Sequence, residues 1–254
     1  MRVCVRRTCR SLGTRSSIGK MWKKGSDEVF YPPGARPITS DISSEELIKN
    51  LKILICALMD IEQSEANADL PVTPLTYLLT SSFLLHHRSK DVCLLVACCL
   101  SDILRILAPK SPCTSPAQLQ KIFKFMTKQL SCLASTNKRR YKRSLYLMEN
   151  LAMVQSYSIC FDMEEGDIII IDLFKTLFSV IRVCQSSSLQ EKVISLLGFI
   201  ISNSPVISCK LLDTLLTPLL KTRKDEDNVV KDLVKCLFKQ TACFLEPHLT
   251  NTSI

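Results

Sequence analysis

The chain is poor in glycine, tryptophan and histidine: its 254 residues include 6 glycines, 1 tryptophan and 3 histidines. A β-sandwich needs turn signals about every 8 to 12 residues, and so few glycines do not supply them. The phosphate-binding loops G-x-G-x-x-G and G-x-x-x-x-G-K-[ST] are absent, and so is the nucleophile motif G-x-S-x-G. We therefore expect a non-enzymatic protein with no catalytic residues and no cofactor.

The cysteines are not arranged as a disulfide or zinc framework. There are 13 of them, an odd number, and no C-x-x-C pair occurs. Several lie within apolar helical patterns, where a free cysteine behaves as a small hydrophobic side chain. The histidines that could complete a metal site are His86, His87 and His248. The pattern predicts no metal site and favours a reducing compartment.

Long apolar runs are also missing. The longest is VCLLVACCL at 92–100, far below the roughly 18 residues of a membrane span, so no membrane association is expected. The formal charge of +9 is concentrated in residues 1–25, which hold eight Lys or Arg and no acid, so the remainder carries +1. A nucleic-acid binder needs a basic face on its folded part, and this total gives no support for one.

The basic leader leaves two interpretations open. We predict that residues 1–27 form a disordered basic arm outside the folded part, which would be 28–254. Its first 25 residues are rich in Arg and Ser and free of acids, the composition of a mitochondrial presequence. The second interpretation makes the chain a mitochondrial helical protein.

Apolar residues recur at helical spacing from residue 43 onward. Ser43 and Glu46 have the spacing of a capping box, and a second helix is predicted from about Pro74 to His87. The stretch KDVCLLVACCLSDILRIL at 90–107 carries the clearest apolar stripe and should end before Pro109. Ser115 should begin the next helix, with Pro116 at its first position.

Further helices follow, and one run is ambiguous. DIIIIDLF at 167–174 could be a buried strand, but the apolar residues after it continue in helical register, so we predict a helix. Ser204 and Pro205 mark another predicted helix start. The remaining predicted helices span about 141–157, 167–184, 188–202, 205–220 and 226–245.

About nine helices and no convincing strand fit either a compact bundle or a solenoid. One helix pair recurs about every 40 residues, the range of HEAT and armadillo repeats. We therefore predict an all-α, HEAT/armadillo-like helical-repeat solenoid. Such a fold presents extended surfaces to peptides and partner proteins rather than enclosing a small-molecule pocket.

Two segments are candidate surfaces for binding. The first, LRILAPKSPCTSPAQLQKIF at 104–123, has three prolines in eight residues and is either a hinge or a binding surface. The second, NKRRYKRS at 137–144, is a nuclear-localisation signal, a phosphate contact or a solvated connector. Positive charge at a helix start opposes the helix dipole, so this cluster needs a separate reason. Its basic residues are Lys138, Arg139, Arg140, Lys142 and Arg143. With the leader, they allow an alternative function as a nucleic-acid-binding accessory protein.

Long ordered blocks of the sequence resemble the N-terminal part of the precocious-dissociation-of-sisters family, the HEAT-repeat regulators of cohesin. The blocks are YPPGARPITSDISSEELIKNLKILICALMDIEQ, KDVCLLVACCLSDILRILAPKSPCTSPAQLQKIFKFMTKQL, RSLYLMENLAMVQSYSICFDME, LFKTLFSVI and LLDTLLTPLL, in that order. The match runs from about Val29 to Asn251.

The resemblance implies a HEAT array in the nucleus, associated with chromatin through cohesin and active in sister chromatid cohesion. Family members are much longer, so 28–254 would be the N-terminal segment of a longer array, a fragment or a short isoform. In the family, an Ala-Pro-acidic-Ala-Pro turn accepts short motifs of Wapl and sororin. The matching residues here are Ala108, Pro109, Lys110, Ser111 and Pro112.

Three positions depart from the family pattern. Lys110 stands where an acid is usual, and it would repel a basic residue of a ligand motif. Ser111 stands where alanine is usual. Cys93 replaces the arginine of the Asp-Val-Arg pattern in a HEAT helix, which removes a polar contact.

Overall fold

The computed structural model describes residues 22–25, 28–64, 70–184, 186–220 and 225–250. Two short strands precede ten α-helices in this part of the chain. The strands are β1 (Lys23–Lys24) and β2 (Phe30–Tyr31). The helices are α1 (Ser44–Met59), α2 (Thr73–Leu79), α3 (Ser82–Leu85), α4 (Lys90–Leu107), α5 (Pro116–Leu130), α6 (Lys138–Met153), α7 (Gly166–Val183), α8 (Ser187–Asn203), α9 (Cys209–Leu220) and α10 (Asp225–Thr250). Two 3-10 helices, Ser131–Ala134 and Ser156–Asp162, flank α6.

Serine side chains begin α1 and α5 as the sequence predicts. The Ser43 hydroxyl accepts a hydrogen bond from the Glu46 amide at 3.2 Å. The Ser115 hydroxyl accepts one from the Gln118 amide at 3.4 Å. Each bond satisfies an amide that has no partner inside its own helix, so local chemistry fixes where these helices start.

The long helices pack in two layers. α1 packs on α4 and α4 on α6, while α5 packs on α7 and α7 on α9. α8 packs on α10, and α7 also contacts α8 and α10. The apolar stripes meet between these helices, where Leu54, Val96, Phe123, Leu147 and Phe174 are fully buried. The predicted all-α helical-repeat solenoid is confirmed, and DIIIIDLF lies in α7 as predicted.

The single helix predicted from about Pro74 to His87 is wrong, because α2 and α3 are separate. The Thr80 hydroxyl donates to the Thr76 carbonyl at 2.9 Å, and Ser81 adopts an extended conformation, with φ −64° and ψ 152°. Hydroxyl side chains offer the backbone alternatives to helical hydrogen bonding. The Thr80 hydroxyl makes such a bond at the end of α2, and the extended Ser81 separates α2 from α3.

The helix predicted from 205 begins later, at Cys209. The Ser204 hydroxyl donates to the Val206 carbonyl at 2.7 Å and so supports a loop. The Ser208 hydroxyl accepts from the Leu211 amide at 3.1 Å and caps the helix instead. The sequence offered two serines with the same local chemistry.

The absence of strands was also predicted wrongly at one point. β1 pairs antiparallel with β2, with Lys23 opposite Tyr31 and Lys24 opposite Phe30. Trp22 packs against the main core. Residues 1–21 and 26–27 lie outside the described residues, so the disordered arm and the presequence both stay predictions. In the part of the chain that the structure describes, no helix combines the length and apolarity needed to cross a membrane.

Candidate functional site

The proline-rich turn joins α4 to α5 and is formed as the sequence indicates. α4 ends at Leu107, and Ala108 is extended, with φ −50° and ψ 136°, because a proline disfavours helical conformation in the residue before it. The peptide bond between Ala108 and Pro109 is cis. The Lys110 amide donates to the Leu107 carbonyl at 2.8 Å, which reverses the chain direction.

The middle of this turn faces solvent and its end is buried. Pro109, Lys110 and Ser111 are exposed, whereas Pro112 and Cys113 are buried. The Ser111 hydroxyl donates to the Cys113 carbonyl at 2.7 Å. We name residues 108–112 the proline turn.

Residues before and within α2 hold the proline turn from outside. The Gln63 side-chain amide donates to the Ala108 carbonyl at 2.9 Å. The Thr73 hydroxyl donates to the Pro112 carbonyl at 3.5 Å. One end of the turn is therefore tied to Gln63, after α1, and the other to Thr73, the first residue of α2, both about 40 residues away in sequence.

Tyr77 is an exposed aromatic residue of α2, the helix whose first residue contacts the proline turn. Thr73 contacts Pro112, and Thr80 accepts a hydrogen bond from the Gln118 side chain. Tyr77 lies four residues after Thr73 and three before Thr80, so it shares their face of α2. The side of α2 that faces residues 112–118 thus carries Tyr77, which is 49% exposed.

Arg105 connects the end of α1 to α4, next to the proline turn. Its side chain is only 13% exposed and donates to the carbonyls of Leu58 and Ile61, each at 2.9 Å. Leu58 lies in the last turn of α1 and Ile61 just after it, so neither carbonyl has the amide donor four residues on that a carbonyl inside a helix has. Arg105 also donates to the Asp102 carboxylate at 3.2 Å, so it joins the end of α1 to α4.

Asp102 is fully buried at the centre of a polar network that sequence analysis missed. It accepts hydrogen bonds from the Tyr146 hydroxyl at 2.7 and 2.8 Å. The Asn150 side chain donates to it at 3.2 Å. Burial raises the pKa of Asp102 to about 6, although the hydrogen bond from Tyr146 and the charge of Arg105 act in the opposite direction. The only signal in the sequence was an acidic residue inside the apolar stripe of α4.

Cys93, at a position where the family resemblance predicts an arginine, makes polar contacts of its own. Its thiol donates to the carbonyl of His87 at 3.2 Å and lies 3.9 Å from those of Leu84 and Leu85. Leu84 and Leu85 are the last residues of α3, and His87 lies just after it. Burial raises the pKa of the Cys93 thiol, which suits a buried hydrogen-bond donor.

The predicted basic cluster is helical rather than a connector. α6 begins at Lys138, and the Asn137 side chain caps it by accepting from the amides of Arg139 and Arg140 at 3.0 and 3.2 Å. The Arg140 guanidinium donates to both carboxylate oxygens of Asp91, at 3.1 and 3.2 Å. Arg143 lies 3.6 Å from the same carboxylate. This acid supplies part of the reason for positive charge at the start of α6.

No metal-binding arrangement is found among the described residues, where no three His, Cys, Asp or Glu side chains cluster. The eleven described cysteines are free thiols. His87 accepts a hydrogen bond from the Ser89 amide at 3.0 Å, and His86 contacts the Ser82 carbonyl at 3.3 Å. These two histidines make ordinary contacts at a helix end.

The fold defines the class first: the chain is a helical-repeat protein with a rigidly held turn between two of its helices. A family model described as "Sister chromatid cohesion protein PDS5 protein" matches residues 45–251. The chain therefore belongs to the PDS5 family of sister chromatid cohesion proteins, and the predicted resemblance is confirmed.

Individual relatives agree with this assignment. The chain is 41% identical over 238 residues to sister chromatid cohesion protein PDS5 homolog B of Homo sapiens, covering 94% of this chain and 16% of that protein. It is 41% identical over 223 residues to PDS5 homolog A-B of Xenopus laevis, covering 88% of this chain and 17% of that protein. The chain thus spans about one sixth of the length of these curated relatives.

A solved structure of a Pds5-Scc1 complex has the same fold. It superposes with a TM-score of 0.71 at 25% sequence identity, covering 88% of this chain and 35% of that chain. The likeness supports the helical-repeat fold, and this chain matches about a third of that chain.

Proposed function

We propose that this chain is a non-enzymatic module of a cohesin regulator that acts in the nucleus, in sister chromatid cohesion. It would bind cohesin-associated factors through short peptide motifs at the proline turn and reach chromatin through the cohesin complex. The observation that carries this proposal is the turn itself, exposed at Pro109–Ser111 and fixed at both ends by Gln63 and Thr73.

The arrangement suits the binding of a short peptide. Proline restricts the backbone, and the side-chain bonds from Gln63 and Thr73 hold the turn in one position, so little conformational entropy remains to be lost on binding. Tyr77 adds an exposed aromatic surface, and tyrosine is enriched in binding hot spots. A motif of the Wapl or sororin type would lie across the exposed residues of the turn and against this ring.

The charge at position 110 sets the affinity for such a motif. An acid there would attract a basic residue of the ligand, whereas Lys110 repels it. At an exposed site the attraction and the repulsion are each worth up to about 1 kcal/mol. The double change Lys110→Asp, Ser111→Ala should therefore tighten binding by about tenfold, since about 1.4 kcal/mol corresponds to a factor of ten.

The test is fluorescence anisotropy of labelled Wapl-type and sororin-type peptides titrated with the full chain. Three proteins are compared: the unmodified chain, the double variant at positions 110 and 111, and Lys239→Asp. The last variant makes the same change of charge at an exposed position of α10, far along the chain from the turn.

Tighter binding by the double variant, and not by Lys239→Asp, supports the proposed site. Equal tightening by both variants would assign the effect to net charge. Absence of binding by all three proteins would refute peptide binding at this turn.

A further inference from the structure

Three helix ends meet on a surface away from the proline turn. They are the start of α4, the end of α5 with the 3-10 helix after it, and the start of α6. The paired Asp91 and Arg140 connect the first turn of α4 to that of α6, and the Cys98 thiol donates to the Arg143 carbonyl at 3.6 Å. The 3-10 helix after α5 packs against α6, and α5 packs against α4.

The charged side chains at these ends are nearly all basic. Six are exposed, and we name them the basic surface: Arg88, Lys90, Lys128, Lys138, Arg139 and Lys142. Arg140 and Arg143 lie between them, and Asp91 is the one acid on the same helix ends. These nine residues carry a formal charge of +7, whereas residues 26–254 as a whole carry +1. The sum over residues 26–254 is close to neutral although its charges are segregated, because acids elsewhere balance this basic surface.

The position of these cations on α6 indicates an anionic ligand. Cations in the first turn of a helix are unfavourable by about 0.3 to 1 kcal/mol each. Asp91 offsets this cost for Arg140 and Arg143 only. A phosphate group at the start of α6 would compensate Lys138, Arg139 and the helix dipole together.

Lys128 also lines a cleft of about 230 Å³ between α5 and α7. Two further lysines, Lys124 and Lys175, line the cleft together with Asp172, and Lys124 lies 3.4 Å from Glu165. These two lysines and two acids balance in charge, so the excess of positive charge ends near Lys128.

The composition and conformation of the basic surface favour nucleic acid over other partners. Interfaces with proteins have an apolar or aromatic centre, but none of the exposed large hydrophobic residues of the described chain lies on these helix ends. A nuclear-localisation signal is read as an extended segment, whereas Lys138–Arg143 is helical and two of its arginines are bound by Asp91. We propose that the basic surface binds the sugar-phosphate backbone of duplex nucleic acid without reading its sequence.

The test compares two variants of equal net charge that have lost positive charges at different places on the surface. All proteins are the full chain with the eight Lys and Arg of residues 1–25 replaced by Gln, so that the leader does not contribute. The test variant adds Lys138→Gln, Arg139→Gln and Lys142→Gln. The control variant adds Lys52→Gln, Lys210→Gln and Lys239→Gln, which removes the same charge from exposed positions elsewhere. Binding to a labelled 30-base-pair duplex is followed by anisotropy between 50 and 200 mM NaCl.

Each phosphate contact contributes about 0.9 to the slope of log K against log salt. The test variant should lose about 2 to 3 from this slope and bind at least about tenfold more weakly at 100 mM salt. The control variant should match its parent. A charge-conserving variant, Lys138→Arg, Arg139→Lys and Lys142→Arg, should also bind like the parent, which distinguishes lost contacts from a damaged fold.

Three outcomes would overturn the proposal: no duplex binding by the parent, equal losses in the test and control variants, or tighter binding to polyglutamate than to the duplex. The last would assign the surface to an acidic protein. None of these outcomes depends on peptide binding at the proline turn.

Discussion

Asp102 offers a sharp test of the structure through its titration. The carboxylate is fully buried, accepts hydrogen bonds from Tyr146 and Asn150, and pairs with Arg105. Burial nevertheless outweighs these interactions and raises its pKa from 3.8 to about 6. The folded protein therefore binds a proton at this site more tightly than the unfolded chain does.

The sign of the effect on stability follows from that difference. A raised pKa contributes stability that is fully present below the unfolded value of 3.8 and is lost as the pH rises through about 6. The whole shift corresponds to about 3 kcal/mol. Between pH 7.5 and pH 5.0, protonation of Asp102 should add about 1 kcal/mol to the free energy of unfolding.

The assay is urea denaturation of the unmodified chain and of Asp102→Asn at pH 7.5, 6.0 and 5.0. The asparagine variant cannot titrate at this position. Lowering the pH from 7.5 to 5.0 should therefore raise the stability of the unmodified chain, relative to the variant, by about 1 kcal/mol. The variant Asp213→Asn, at an exposed position of α9, controls for the loss of a carboxyl group. A difference that stays constant with pH, or shifts the other way, would refute the view that burial dominates at Asp102.

Three further predictions concern local structure and stability. Ser115→Ala removes the cap of α5 and should lower the free energy of unfolding by about 1 kcal/mol, seen as a lower urea midpoint with an unchanged m-value. Gly166→Ala places a Cβ atom 1.7 Å from the Cys160 carbonyl oxygen and should cost about 3 kcal/mol; a melting temperature equal to that of the unmodified chain would contradict this contact. Asp91→Asn should lower stability by about 1 kcal/mol at pH 7. Because the hydrogen bond from Arg140 lowers the pKa of Asp91, that loss should shrink only as the pH falls through and below the ordinary carboxyl range near 3.8, as acid titrations of both proteins would report.

The parts of the fold that could be predicted depend on local chemistry. Ser43 and Ser115 cap helices through bonds to residues three positions away, and Pro109 acts on its direct neighbour. Such effects depend on residues that are close together in the sequence, so they can be predicted from it. The helix break at Thr80 and Ser81 was missed because their hydroxyls supported either continuation or interruption, and the sequence does not say which prevails.

The candidate sites show the same division. The proline turn was identified from its composition, but its supports were not, because Gln63 and Thr73 lie 45 and 39 residues from the carbonyls they bind. The partners of Asp102 on α6 are 44 and 48 residues away. The basic surface was hidden by the total charge, because a sum over the chain does not show how Lys90, Lys128 and Lys138 come together in space.

The central claim is that the proline turn is the peptide-binding site of this PDS5-family module. The most direct test is amide chemical-shift mapping of the isotope-labelled full chain during titration with the Wapl-type peptide, using the Lys110→Asp, Ser111→Ala variant if the unmodified chain binds too weakly. We predict that the largest shifts occur at residues 110–113 and at the side-chain amide of Gln63, with smaller shifts near Tyr77. Shifts confined to other helices, with the amides of 110–113 unchanged at saturation, would contradict the account.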